Sequence, residues 1–446
     1  MTKEEILKSV RENDLKMVRF LYIDNDGIVR GYQANRKALE NDLDSGHYIA
    51  AAMPFFTAFD DVIPNEKYGG PIGEYVIVPD LNSFKVLPYA RANGAVICDI
   101  RDIDRNPVSI CARTKLKEIL NKLDYEVCAC FENEFYFVIK KEDGTVIPFD
   151  DSMCFTTKGM NTANEIILEI VDALEQQGME VEKYYPEYGP GQQELVIKYR
   201  PALEAADNQI YFRETVRAIA LKHGIIASFM PKPFANKSGC GCHINLSCWK
   251  DGKNLFFNNV DNHLSRFGYY FAGGILKHIN SICAFTNPTI TSYKRIIPHN
   301  WASAFAAIGF NNKEVALRIP TTQYGHGEKT ARIEYKPADC AAQPYLALAA
   351  LIVAGNEGVK QQIDGKKLAL EKDPANLTEE QRDQLGIYRL PKTLEEAINS
   401  LEQDELFREF FGDEMIDAYI QMKRQAWEEY MLHVTQWEVD KYLDIF

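Results

Sequence analysis

"SGCGCHINLSCW", residues 238–249, sets Cys240, Cys242, His243 and Cys248 within nine positions, a density that suggests a soft-metal site. The spacing argues otherwise. C-x-C-H followed by a lone cysteine lacks the paired C-x2-C knuckles of a structural zinc site. Read as a strand, the segment puts His243, Asn245, Ser247 and Trp249 on one face and Cys242, Ile244, Leu246 and Cys248 on the other. The cysteines of the second face then act as small apolar residues behind a strand whose front is polar. His243 stands on that front and must find its partners elsewhere in the chain.

Three further segments repeat the pattern. "CACFENEFYFVI" places Glu132 and Glu134 on one face with Phe131, Phe135 and Phe137 behind, and "GPGQQELVIKY" does the same with Gln192 and Glu194. "ARIEYKPADC" gives Arg332, Glu334 and Lys336, with Ile333 and Tyr335 opposite. A carboxylate is costly to bury unless it is paired or metal-bound, so acids set repeatedly into apolar strands call for a compensating cation. Mostly carboxylate with a single imidazole, the set suits hard octahedral Mg²⁺ or Mn²⁺ better than zinc. Basic residues cluster near the same segments: Lys294 and Arg295 in "SYKRIIP", Lys313 and Arg318 in "NNKEVALRIP", Lys329 and Arg332 in "EKTARIE". A metal basin ringed by Arg and Lys is what phosphoryl transfer needs, because its barrier falls chiefly through positioning and charge stabilisation. There is no G-x-x-x-x-G-K-[ST] loop, so a nucleotide would be bound without one.

The frame around these strands is ordinary. At 446 residues the chain predicts two domains, or one large one with a satellite. A formal net charge of -14 and a pI near 5.2 argue against nonspecific nucleic-acid or anionic-membrane binding. "MTKEEILKSV" carries no cleavage pattern and no run reaches the length of a membrane span, so cytoplasmic residence is expected. Ten cysteines without disulfide spacing fit a reducing compartment. Residues 1–12 predict a short helix, and "MVRFLYIDNDGIVRGYQA" predicts a hairpin turning at "NDG". A boundary is expected near Arg101, giving domains at residues 1–100 and 101–446. Beyond it, helical spacing recurs in segments closed by Gly178 and Gly224. From about Lys360 onward charged helical segments predict a solvated cap.

These residues resemble the glutamine synthetase family, in order and over nearly the whole chain. The matching pieces are "FENEF", "EYGPGQQE", "FMPKPFANKSGCGCH", "NPTITSYKRIIP", "LRIP" and "RIEYKPADCAAQPYLALAALIVAG". The resemblance implies an α+β fold: a small N-terminal β-grasp-like domain and a large catalytic α/β domain with a curved antiparallel sheet. It implies ATP as co-substrate, two or three Mg²⁺ or Mn²⁺ ions per site, and a homo-oligomeric ring, decamer or dodecamer, with active sites between subunits. One ion would fall to Glu134, Glu187 and Glu194, another to Glu132, His243 and Glu334. Arg295 and Gly239 resemble glutamate-binding positions, while Ser247, Lys329, Arg332 and Arg318 resemble nucleotide or phosphate positions.

Departures from the family pattern bear on the substrate. Ammonia-using members carry P-G-Y-E-A-P at a flap whose Glu helps to deprotonate ammonium; here "PHNWASAF" puts Trp301 at that position. Those members also carry an Asp in a D-G-S-S loop, and "GHYIAAAMPFFTAFDD" contains none. An indole can instead accept an alkyl chain or a protonated amine. Members that join glutamate to methylamine are similar at this Trp. Lys313 and Lys336 stand where Arg is usual, and Ser238 where Asn is usual; Lys keeps the charge but loses the two-pronged fork. The resemblance therefore implies a ligase joining the γ-carboxylate of glutamate to an amine through γ-glutamyl phosphate. Lys313 and Arg318 would serve the phosphate, and Ser238, Lys336 and Trp301 the substrates. Glu328, Asp60 and Asp61 are candidates for the general base. Two rivals stand beside it: a glutamine synthetase using ammonia, and a metabolite sensor or scaffold with little activity.

Overall fold

The computed structural model describes residues 1–258, 260 and 264–446. The chain opens as its sequence predicts. Thr2 caps helix Lys3–Glu12 in a reciprocal box with Glu5, and the helix buries Ile6 and Val10. The small domain carries β1 (Met17–Ile23), β2 (Val29–Asn35), β3 (His47–Ala50), β4 (Glu74–Pro79), β5 (Lys85–Val86) and β6 (Asn93–Arg101). The sheet runs β2-β1-β6-β4-β3, with β5 also on β6 and only β1 and β6 parallel. β1 and β2 form the expected hairpin. In its turn Asp24 Oδ1 accepts the N–H of Asp26 at 3.1 Å and of Ile28 at 2.8 Å, and Gly27 takes φ +88°.

The large domain is built on a curved sheet of eleven strands: β7 (Glu126–Lys140), β8 (Val146–Pro148), β9 (Val181–Pro186), β10 (Gln192–Ile197), β11 (Arg200–Pro201), β12 (Ile226–Ser228), β13 (Cys242–Lys250), β14 (Lys253–Asn254), β15 (Phe305–Phe310), β16 (Val315–Ile319) and β17 (Ile333–Tyr335). The principal order is β15-β16-β17-β13-β7-β10-β9, antiparallel apart from β15 on β16. Helix Ala202–Lys222 packs on β7, and helix Pro344–Gln361, apolar on nearly every side, packs in turn on that helix. That layer covers the apolar face of the sheet and leaves the other face to the acids.

The C-terminal helices are charged outside but not wholly solvated. Leu394, Ile398, Leu401, Phe407, Phe411 and Met415 are all buried, because these helices are amphipathic and close the core around helix Ile279–Thr286. Buried ion pairs join the two domains. Lys423 of helix Asp413–Leu432 pairs with Asp26 in the hairpin turn, and Arg113 of helix Ala112–Lys122 reaches Asp80, Asp99 and Asp207. Among the described residues no helix is long and apolar enough to cross a membrane.

Candidate active site

Register alone assembles the polar groups. Across the sheet Glu194 of β10 pairs with Glu134 of β7, Glu132 of β7 with His243 of β13, and Glu334 of β17 with both Asn245 of β13 and Arg318 of β16. Directly opposed residues point to the same face. The four polar fronts expected from the sequence are therefore one surface, a band crossing five strands. The reverse face follows the same rule: Cys242, Ile244, Leu246 and Cys248 are at most 2% exposed. All ten cysteines are free, and burial pushes the thiols of Cys240, Cys242 and Cys248 well up, as expected of packing groups rather than thiolate ligands.

At the centre, Glu132, His243 and Glu334 each offer a ligand atom, all within 4.8 Å of one another. His243 Nδ1 lies 3.3 Å from Glu334 Oε1 and 3.6 Å from Glu132 Oε2. Its Nε2 faces Glu134 Oε1 at 3.7 Å. Two flanks differ in charge. Toward β16, Arg318 donates to Glu334 Oε2 at 2.7 Å and the buried Lys336 lies 3.4 Å from Oε1. Burial alone would raise the Glu334 carboxyl, but Lys336, His243 and Arg318 outweigh it and hold it at about 2. Toward β9 the one facing cation, Lys183, acts on Glu132 from a distance and its Nζ lies over the Tyr185 ring, and among the described residues no Arg or Lys is ion-paired with Glu134, Glu187 or Glu194. Burial, reinforced by Glu134 and Glu132, pushes Glu194 up to about 9, and burial with Glu134 pushes Glu187 in the same direction. Glu194 Oε1 is buried without a hydrogen-bond partner. Carboxylates crowded with an orphaned oxygen fit a divalent cation, whose charge would relieve them.

That imbalance has a measurable sign. A carboxyl raised from 4.5 to about 9 keeps its proton in the folded, metal-free chain while the unfolded chain releases it. Stability of the metal-free protein therefore falls as pH climbs through that window. A cation replaces the proton, so the gain in melting temperature from Mg²⁺ grows from about pH 6 to about pH 9. Melts in EDTA and in MgCl₂ across that range check this; a gain that does not change with pH would break the assignment.

The loop before β13 crowds the acids. A Cβ on Gly241 would come within 2.8 Å of His243 Nε2 and 3.0 Å of Glu134 Oε1, and one on Gly239 within 2.7 Å of the Arg295 side chain. Arg295, 5% exposed, is aimed by bonds to the carbonyls of Pro337 at 2.7 Å and Lys336 at 3.1 Å. Ser238 bonds the Gln192 side chain, and Tyr136 donates to its carbonyl at 2.9 Å. Farther along β13, Asn245 Oδ1 accepts from Arg332 Nε at 2.8 Å and Ser247 Oγ from Trp249 Nε1 at 2.9 Å. Strand alternation marks Asn245 only as a face residue and gives no sign of its bond to Arg332.

Other sequence candidates are scattered. Glu328 and Lys329 sit in the short helix Gly327–Thr330, which has no buried residue. Asp60 pairs with Arg30 at 2.6 Å, and Lys294 turns away to Tyr430, 4.9 Å from its ring centre. Trp301 stands 63% exposed on a loop where His299, Trp301 and Ser303 all take φ between +52° and +61°. Its backbone N–H donates to Glu314 Oε1 at 2.9 Å, and Lys313 Nζ lies 4.6 Å from its ring centre.

Comparison with known proteins agrees with this geometry. The model of the glutamine synthetase N-terminal domain matches residues 1–108, and that of the glutamine synthetase catalytic domain matches residues 107–442. Glutamine synthetase of Methanocaldococcus jannaschii is 32% identical over 455 residues, spanning 99% of this chain and 98% of that protein. That of Clostridium saccharobutylicum is 34% identical over 456 residues, spanning 99% of both. Among solved structures, a GmaS/ADP complex superposes with a TM-score of 0.86 at 28% identity, covering 98% of this chain and 99% of that one. With both domain models matched and full-length relatives above 30% identity, the chain belongs to the glutamine synthetase family of ATP-dependent carbon–nitrogen ligases.

Proposed function

We propose that this chain joins the γ-carboxylate of glutamate to an organic amine. The observation that carries the reading is Trp301: an exposed indole whose face already holds the Lys313 ammonium, on the flap where ammonia-using relatives carry an acid. An aromatic face that accepts one ammonium suits another. Likeness to the GmaS structures, one of them an ADP complex, is in keeping with a ligase of this family that uses ATP.

Glu134, Glu187 and Glu194 would hold one divalent ion and Glu132, His243 and Glu334 another; bound there, the ions would neutralise phosphate charge. Arg318, Lys313, Lys329, Arg332 and Ser247 are assigned to ATP. Arg295, Gly239, Ser238 and Lys336 are assigned to glutamate. A γ-carboxylate oxygen attacks the γ-phosphorus and ADP leaves; the amine nitrogen then attacks the acyl carbon, phosphate leaves, and a base takes the nitrogen's proton. Glu328 is the candidate base. Family rings place sites between subunits, and the same assembly is proposed here.

Phosphate release with ATP, Mg²⁺ and glutamate, comparing methylamine, ethanolamine, putrescine and ammonium, tests the reading. An alkylamine is expected to exceed ammonium. In Trp301→Ala its kcat/KM should fall about tenfold, the scale of a partly desolvated cation–π contact, while the ammonium value changes little. Ammonium as the better donor would make the chain a glutamine synthetase with an unusual flap.

A further inference from the structure

Gln192 opens β10, is 1% exposed, and lies across from Tyr136. Its side-chain amide is saturated. Nε2 donates to Glu134 Oε2 at 3.0 Å and to the Gly239 carbonyl at 3.0 Å, while Oε1 accepts the Gly189 N–H at 3.0 Å and the Ser238 hydroxyl. A carboxylate only accepts and a peptide N–H only donates, so the amide's orientation is fixed by its neighbours. The main chain adds to the grip: the Glu187 N–H donates to the Gln192 carbonyl at 2.9 Å, and the Gln192 N–H to the Gly189 carbonyl at 2.8 Å.

Glu134 is thereby held at one oxygen. Its Oε2 takes both the Gln192 amide and the Gly241 N–H, the latter at 2.9 Å, so Oε1 alone faces His243. The loop 238–241 is tied to both groups, because the Gly241 N–H is bonded to Glu134 Oε2 and the Gly239 carbonyl and Ser238 hydroxyl to the Gln192 amide, and the close space at Gly239 and Gly241 leaves no room for a Cβ beside Arg295 and Glu134. A movement of Glu134 toward a cation must therefore pull the Gln192 amide, and with it the Gly239 carbonyl and Ser238.

We propose that Gln192 is the positioning residue that couples cation binding at Glu134 to the shape of loop 238–241, where the acid substrate sits. The inference rests on the ligand set and acid position of the proposed function. Coupling of this kind is reciprocal: each ligand tightens the other by the same factor, about tenfold here.

Calorimetric titrations of Mn²⁺ and L-glutamate, each alone and in the presence of the other, measure that factor in the wild type, Gln192→Met and Gln192→Glu. Gln192→Glu keeps the shape and both accepting contacts but cannot donate to Glu134 and Gly239 together, so it decides the matter if Gln192→Met fails to fold. The factor is expected near ten in the wild type and near one in the variants. A residue that only fills space would weaken each ligand separately and leave the factor intact. An intact factor in the variants overturns the inference and leaves the proposed function standing. A wild type that binds no Mn²⁺, or whose Mn²⁺ has no effect on glutamate, overturns the ligand assignment and the inference with it.

Discussion

Exchanging Glu334 for glutamine is expected to lower ATP-dependent phosphate release by about a thousandfold, the upper range for loss of one preorganised electrostatic group. The exchange keeps the shape and removes the charge. Arg318 and Lys336 would then face the basin with no anion between them and the His243 ring. Lys336 is 4% exposed, so a cation left unpaired there costs several kcal/mol. Two consequences follow from one cause. The folded state loses stability, and the remaining positive charge repels the divalent ion the site is built to hold. Calorimetry with Mn²⁺ should find one fewer ion bound. Activity within tenfold of the wild type would remove Glu334 from the machinery.

Glu194→Gln should move stability the other way. Glu194 keeps a proton only because other acids and burial force it to, and near pH 8 the unfolded chain gains by releasing that proton, so a neutral isostere removes this cost of folding in the metal-free protein. Its melting temperature in EDTA near pH 8 should rise, while the Mg²⁺ gain shrinks. Opposite signs from two carboxylates on one sheet face discriminate a charge-balanced flank from a cation-seeking one. A general packing defect would lower both.

The band of acids was legible because its rule is local. Alternation within each strand sorts Glu132, Glu134, Glu194, His243 and Glu334 from their apolar neighbours before any partner strand is known. The sequence does not reveal register, yet one buried face constrains it, since a slip of one residue would turn every acid inward. Glu187 follows no such period. It lies past the end of β9, fixed by the Gln192 carbonyl, and only the family resemblance pointed to it. From the sequence Trp301 is an indole able to accept an alkyl chain or a protonated amine; that Lys313 lies over its ring is invisible there, because the contact depends on how the loop bends at three left-handed residues. Its place in the sequence groups Lys294 with the basic residues around the basin, but helix geometry sends it to Tyr430. Side-chain networks that join distant segments leave no periodic trace at all.

Arg113 is the centre of one such network, and Arg113→Met is expected to destabilise the chain by about 3–5 kcal/mol. Its guanidinium is 4% exposed at the side chain and donates to Asp207 at 2.9 and 2.7 Å, to Asp99 at 2.8 Å and to Asp80 at 2.9 Å. Lys117 shares Asp80 and Asp99, at 3.0 and 2.8 Å, but does not reach Asp207, whose remaining contact is the Tyr345 hydroxyl at 2.7 Å. Methionine fills similar volume and leaves Asp207 buried without its bonded cation, with Lys85 acting on it only from a distance. Since Asp80 and Asp99 belong to the small domain and Asp207 to a helix beneath the catalytic sheet, the loss falls on the contact between domains. Its pH dependence gives the diagnostic. Burial would raise Asp80, but Arg113 and Lys117 bring it down to about 2, below its ordinary 3.8. A lowered carboxyl stabilises the fold above its ordinary value, and that contribution is lost as pH falls toward about 2. The gap in melting temperature between wild type and Arg113→Met should therefore be full near neutrality and narrow below about pH 4, as the stranded acids take protons. Urea unfolding followed by tryptophan fluorescence measures the neutral gap. A difference below about 1 kcal/mol there, or one that does not change on acidification, would mean that packing rather than charge holds the small domain to the sheet.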